Sequence, residues 1–536
     1  MAAALGAPPL LAEAATDPVE RTVERWAGGL SDAAALGQLF MLGYQGTAPP
    51  EYLLDWVADG RVGGIKIFTR NVTDLEQLRT TIQQLQLLAA PHAQAPPLLV
   101  ATDQEGGWVR HIKHETSTSA GNLSLGAAAL PHDAYYTGLY LGTELAALGI
   151  NMNFAPTIDL YTDPDATVIG PRAFSSDPTS TGLLAVAYYQ GLQSAGVIAT
   201  AKHFPGHGAT SRDSHGALPV VEVTEEQLLT RELVPYRMLI REGLPAIMSG
   251  HLAFPLITDG QLTPASLSPH FQRTLLRTRL GFEGVIITDD MEMGGALAST
   301  PDPATAVVAA IEAGNDIVLI SHSAYWQEQA WQAARRRMED DPAFRDTVRA
   351  SALRVLRMKA QQREWRSVSI AATVPALGAA EFFFESAARG VTVLADGDIP
   401  LPALAGMRVL LMGQLPAFFA VGSERLPGAA ELRFPYSPFF RAREPYLSHL
   451  PRAAADYDLV VFGLSNYNSL QVLERMEALA EKLVVVSALT PVYLRSVPWV
   501  ETAIAVYGTD EASFRAGFGA LLGDFEPTGR LPISFE

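Results

Sequence analysis

"VIATAKHFPGHGATSRDSH", residues 197–215, starts as an unbroken apolar run and ends as a loop crowded with proton-transfer groups. The apolar part has no polar alternation, the pattern of a strand buried on both faces. It stops at Lys202 and His203, where Pro205, Gly206 and Gly208 punctuate the chain. A buried strand that delivers polar residues at its C-terminal end, under a long loop, is the unit from which a (β/α)8 barrel builds its active face.

The unit recurs. Apolar runs lie at "QLFMLGY" (38–44), "GGIKIF" (63–68), "LLVATDQ" (98–104), "INMNFAP" (150–156), "AIMSGHL" (246–252), "GVIITDD" (284–290) and "DIVLISH" (316–322). Helical stretches separate them, such as "TDLEQLRTTIQQLQLLAA" from Thr73 and "TEEQLLTRELVPYRMLIREG", where Thr224 and Gln227 have capping-box spacing. Together they predict an α/β fold with a (β/α)8 TIM-type barrel over residues 21–360, an open doubly wound sheet being the competitor. The polar residues Asp103, Lys202, His203, His251, Asp289 and His322 fall at the C-terminal ends of these runs, which a parallel barrel would gather on one face.

Residues 1–20 read as a flexible leader and 361–380 as a linker. A smaller α/β sandwich domain is expected over 381–536, with apolar runs at 391–396, 407–413, 457–463, 482–489 and 502–508 and an edge strand in "RLPISF".

Composition narrows the function. Of 536 residues 48% are hydrophobic and 18% charged, as in a globular protein with large cores. The formal net charge of −18 argues against a nucleic-acid partner. Cysteine is absent, which excludes disulfides, thiolate metal sites and a thiol nucleophile. No apolar run reaches the eighteen residues or so of a membrane span. No Lys or Arg precedes Arg21, so the basic n-region of a secretory signal is missing, which favours a soluble cytoplasmic protein over an exported one, monomer or homodimer.

Four segments offer chemistry. Asp213 and His215 stand two apart, close enough for the carboxylate to fix the imidazole tautomer for proton transfer, or simply to cap a turn. His203, His207, Asp213, His215 and His251 present nitrogen and oxygen donors for a metal, but their spacing matches no zinc pattern. Asp289, at the end of an apolar run, is placed to attack an electrophilic carbon, with Asp290 as a structural cap. Asp103 and Glu105 could accept hydrogen bonds from vicinal hydroxyls, and Arg172, framed by Gly and Pro in "IGPRAFSSDP", could donate a fork of them.

Taken together, "DQEGG" (103–107), "NFAPTIDL" (153–160), "IGPRAF" (169–174), "KHFPGHGATSRDSH" (202–215), "MSGHL" (248–252) and "GVIITDDMEM" (284–293) resemble glycoside hydrolase family 3, in its β-N-acetylglucosaminidase (NagZ-type) branch. The resemblance implies an exo-acting, retaining glycosidase that removes terminal GlcNAc from peptidoglycan fragments or chitooligosaccharides through a covalent glycosyl-Asp intermediate, with no metal or organic cofactor. It makes Asp289 the nucleophile, His215 the general acid/base and Asp213 its orienting partner. It places Asp103, Arg172, Lys202, His203 and His251 around the sugar. A GlcNAc phosphorylase, a β-glucosidase of the same family and a non-catalytic sugar-binding module are the alternatives. Two departures stand out: Trp108 where the family commonly carries arginine, and Pro171 beside Arg172.

Overall fold

The structure is a computed structural model that describes residues 17–90, 95–214, 216–365, 373–436 and 446–534. Among them, eight strands close into a parallel barrel in sequence order. They are β1 (Phe40–Leu42), β2 (Gly64–Lys66), β3 (Leu99–Thr102), β4 (Met152–Asn153), β5 (Ile198–Phe204), β6 (Ala246–Ser249), β7 (Val285–Asp290) and β8 (Ile317–Ile320). β8 pairs back onto β1 through Val318 and Phe40, which closes the ring and excludes the open sheet.

The barrel interior is filled by Met41, Leu99, Met152, Phe154, Ile198, Met248, Ile287 and their neighbours, all buried. Alternate residues such as Phe40, Leu42, Ile65, Val100, Ala199 and Ile286 point outward into a larger core under the helices. Two apolar faces explain why the runs lack polar alternation. The helix Pro342–Trp365 seals the N-terminal end, where Val355 and Met358 join the interior. The helix Pro18–Ala27, capped by Asp17, lays Val23 and Trp26 against Leu356 and Ala360 of that sealing helix, and its first residues fall inside the segment expected to be a leader. Residues 1–16 of that leader and 366–372 of the expected linker lie outside the described residues.

The helix from Thr73 forms as Leu75–Ala89 with Asp74 as its cap. The Thr224–Gln227 capping box also forms, but its helix is broken: Glu225–Gln227, a wide turn over Leu228–Glu232, then Val234–Arg241. Pro235 has no N–H to give the preceding turn, so an unbroken α-helix cannot pass through it.

The second unit is a six-stranded sheet among the described residues, ordered β11-β10-β12-β13-β14-β9. Its strands are β9 (Thr392–Asp396), β10 (Val409–Gly413), β11 (Ala430–Arg433), β12 (Leu459–Leu464), β13 (Leu483–Ala488) and β14 (Thr502–Tyr507); only β9 runs antiparallel. Val409, Leu411, Val461, Val484 and Val486 feed one apolar layer; Leu410, Met412, Val460, Phe462 and Val485 feed the other. β11 was not expected, because "AELR" alternates at a half-exposed edge and carries no apolar run. Among the described residues of "RLPISF", 530–534, no edge strand forms. Instead Arg530 donates its backbone N–H to Ala127, and the Pro532 carbonyl accepts from Ser175 and Ser176 of the barrel. Pro532 cannot donate to a ladder, which suits a docking segment better than a strand.

Ile198 lies wholly inside the barrel, so Ile198→Ala should cost about 2–5 kcal/mol of stability, read as a lower urea midpoint of the barrel transition with the sheet domain's transition little changed.

Candidate active site

At the C-terminal ends of the strands a cavity of about 320 Å³ opens, a size at the small end of ligand pockets. Its charged wall is built from β2, β3 and β5. Asp103 follows β3 directly and sits between two ammonium groups: Lys66, the last residue of β2, pairs with Oδ2, and Lys202 of β5 donates to Oδ1 at 2.5 Å. His111 Nε2 stands 3.5 Å from Oδ2. Burial alone would raise the Asp103 pKa, but Lys202 and Lys66 hold it well below the usual carboxylate range.

Lys202 also reaches Glu105 at 2.7 Å, and Arg172 clamps the same carboxylate with Nε and Nη2 at 3.0 and 2.8 Å. Burial opposes ionisation of Glu105, yet Arg172 and Lys202 bring its pKa down to about 2. Glu105 is therefore spent on protein cations and is 4% exposed, whereas its sequence position suggested a hydroxyl acceptor. Pro171 fits without strain, in the first part of the 3-10 turn Gly170–Arg172, where its missing N–H is not needed.

The histidine loop is rooted by Asp159. Its Oδ1 accepts the backbone N–H groups of His203 and His207 at 3.1 and 2.7 Å, and its Oδ2 lies 2.7 Å from His203 Nδ1. With Nδ1 so engaged, Nε2 is the nitrogen that the His203 ring can offer the pocket. Gly208 packs so tightly on Leu160 that a Cβ would lie 1.6 Å from its carbonyl oxygen. At the far end the Ser214 carbonyl accepts from the Gly295 N–H at 3.1 Å. Among the described residues the loop is thus held at His207, Gly208 and Ser214. Asp213 lines the pocket mouth; His215 lies outside the described residues.

β5 and β7 each carry a register irregularity at the pocket, Ala201/Phe204 and Ile287/Asp290. Such interruptions re-aim side chains and help present Lys202 with His203, and Asp289 with Asp290, at one rim. Asp289 lines the cavity, its Oδ1 accepting the Asp290 N–H at 2.8 Å. Burial would raise its pKa; His203, His251 and that N–H pull it below the ordinary value, so the carboxylate is charged at neutral pH. Asp290 turns inward, and its Oδ1 caps the Glu292 N–H at 3.0 Å.

His251 stands behind this wall. Its Nδ1 is 2.7 Å from Ser266 Oγ and its Nε2 is 3.0 Å from the Asp290 carbonyl, so both ring nitrogens are occupied by the protein. His203 gives its ring to Asp159 and His251 its ring to Ser266 and the Asp290 carbonyl, whereas His207 meets Asp159 through its backbone N–H. Among the described residues no three His, Asp or Glu side chains converge as a metal site.

Sequence reasoning passed over Lys66, His111 and Asp159. Lys66 had the same signal as Lys202, a cation inside an apolar run, and its closeness to the Phe154 ring, 4.4 Å, shows how it is housed.

Residues 33–358 match the glycosyl hydrolase family 3 N-terminal domain. The chain belongs to that family. A β-hexosaminidase of Psychromonas ingrahamii is 38% identical over 263 residues, 48% of this chain and 75% of that one. Beta-hexosaminidase A of Pseudoalteromonas piscicida is 36% identical over 288 residues, 51% of this chain but only 48% of the relative. The family 3 β-N-acetylglucosaminidase structure from Paenibacillus sp. str. FPU-7 superposes with a TM-score of 0.85 at 30% identity, covering 94% of this chain and 99% of the other. The family and the two-domain fold expected from the motifs are borne out.

Glu105→Gln should destabilise the protein by about 3 kcal/mol at pH 7, because it unpairs Arg172 and Lys202. The folded pKa of Glu105 is depressed to about 2, so its contribution is present above the unfolded value near 4.5 and fades as pH falls toward 2. Urea midpoints of the two proteins should therefore differ most above pH 5 and converge only as the pH falls to about 2.

Proposed function

We propose that the protein is an exo-acting, retaining β-N-acetylglucosaminidase, removing a non-reducing terminal GlcNAc from peptidoglycan fragments or chitooligosaccharides. The observation that carries this is Asp289, a carboxylate held ionised at a strand end on the wall of a small pocket that also displays Asp103, Lys202, Arg172 and His203. An ionised carboxylate beside a hydroxyl-binding wall is what covalent glycoside cleavage requires.

In the first step the Asp289 carboxylate attacks the anomeric carbon while the glycosidic C–O bond breaks. The imidazolium of His215 gives its proton to the leaving oxygen. In the second, neutral His215 takes a proton from water, the water oxygen attacks the same carbon, and the ester to Asp289 breaks. Two inversions give net retention. Asp213, at the pocket mouth, would hold the His215 ring and favour its protonated form. A histidine in this role departs from the usual pair of carboxylates. Asp103, Lys202, Arg172 and His203 would bind the sugar hydroxyls, and His251 would steady Asp289 from behind. Imidazole and carboxylate together supply acid, base and nucleophile, so no metal or organic cofactor enters the scheme.

Release of p-nitrophenol from its β-N-acetylglucosaminide should be fast, unaffected by EDTA, and reduced at least about a thousandfold in Asp289→Ala. Preference for the β-glucoside would overturn the sugar assignment, and GlcNAc 1-phosphate as product in phosphate buffer would make the enzyme a phosphorylase. His215→Ala should slow chitobiose cleavage far more than p-nitrophenyl glycoside cleavage, since a good leaving group needs no proton. Equal slowing of both would remove His215 from the acid/base role.

A further inference from the structure

The pocket mouth carries aromatic surface that the steps above do not use. Trp108 precedes Val109, which is in the pocket wall, and is itself 48% exposed. Its indole meets the ring of Tyr436 edge-on, with centroids 6.2 Å apart and planes at 64°. Tyr436 belongs to the sheet domain, just past β11, and is 36% exposed. Tyr493, in the turn Pro491–Ser496 after β13, lies within electrostatic reach of Tyr436 and bonds Thr167. Thr167 in turn precedes Val168, which is 37% exposed and lines the pocket. An aromatic and apolar arc, part barrel and part sheet domain, therefore borders the cavity.

An exposed tryptophan and tyrosine gain little for folding at this position, but they offer faces on which an apolar ring surface can lie. The enclosed cavity of about 320 Å³ is small, so a chain of sugars bound there must emerge at its mouth. We infer that Trp108 and Tyr436 form the subsite for the second sugar, on the leaving-group side. The inference rests on the glycosidase reading and adds to it the side chains that hold the sugar being released.

The test compares kcat/KM for chitobiose with that for methyl β-N-acetylglucosaminide, whose leaving group cannot reach the arc. Trp108→Ala should lower the chitobiose-to-methyl ratio about tenfold, Tyr436→Ala should lower it less, and Trp108→Phe should keep most of it. A ratio unchanged in Trp108→Ala would overturn the inference, since a merely structural role would slow both substrates alike. If the wild type cleaves no glycoside, the glycosidase reading fails by itself, and calorimetry still decides the subsite. Chitobiose should then bind more tightly than GlcNAc to the wild type and no more tightly to Trp108→Ala; equal wild-type affinities would overturn it.

Discussion

The partly buried carboxylate of Asp103 stays charged because Lys66 and Lys202 flank it, and the two buried ammonium groups are tolerable because carboxylates face them. Burial pulls Lys66 below its ordinary pKa in spite of Asp103, whereas Lys202, which serves Asp103 and Glu105 at once, is held above it. Arg172 completes the ladder by taking the remaining positions on Glu105. The ladder joins β2, the turn after β3, β5 and the loop after β4. Removing any rung leaves a partner buried and uncompensated, which costs several kcal/mol. The arrangement is expensive as a stabiliser and useful as a template: its donors and acceptors stand in fixed positions before a polyhydroxylated ligand arrives.

The Asp159–His203 pair extends the same logic to the nucleophile. Asp159 is fully buried, and burial would neutralise it were it not for His203 and the backbone N–H groups it accepts. That pair orients the ring that, with His251, lowers the pKa of Asp289. His207, next to it, is pushed down to about 4 by burial, so it serves as neutral packing within the loop root. Two histidines four residues apart thus have opposite uses. The difference lies in which of them gives its ring to Asp159, and no spacing rule contains that information.

This explains what could be read beforehand. The eight apolar runs are legible because a strand buried on both sides has nowhere to hide a polar residue, so Lys202, Asp103 and Asp289 mark the strand ends. Lys66 obeys the same rule and was nevertheless passed over, being a single lysine in "GGIKIF" with no motif around it. Glu105 and His251 were recognisable as polar groups at strand ends, but not as groups already committed to Arg172, Lys202, Ser266 and the Asp290 carbonyl. Occupancy of a hydrogen-bonding atom is a three-dimensional fact. The edge strand β11 was missed for a related reason, since a half-exposed edge gives no apolar run, and "RLPISF" suggested a strand while its backbone docks on the barrel instead.

The sheet domain bears on the pocket through the barrel loops it supports. Ile169 and Ala173, which bracket the turn carrying Arg172, pack with Ala505, Tyr507 and Val492 of the second unit. Ala120, at the end of the loop that begins at Asp103, lies in the sheet-domain core with Val506 and Phe514. Gly508 approaches Ala120 so closely that a Cβ would stand 2.9 Å from its Cα. Tyr161 adds a hydroxyl contact to Thr490 at 3.0 Å. Both segments that meet in the Glu105–Arg172 clamp are therefore fixed from outside the barrel by close apolar packing, which does not deform continuously. A clamp whose two halves sit on long loops would lose its geometry if either loop drifted by an ångström. The second domain removes that freedom and, by presenting Tyr436 beside Trp108, places part of itself where a bound chain of sugars leaves the pocket.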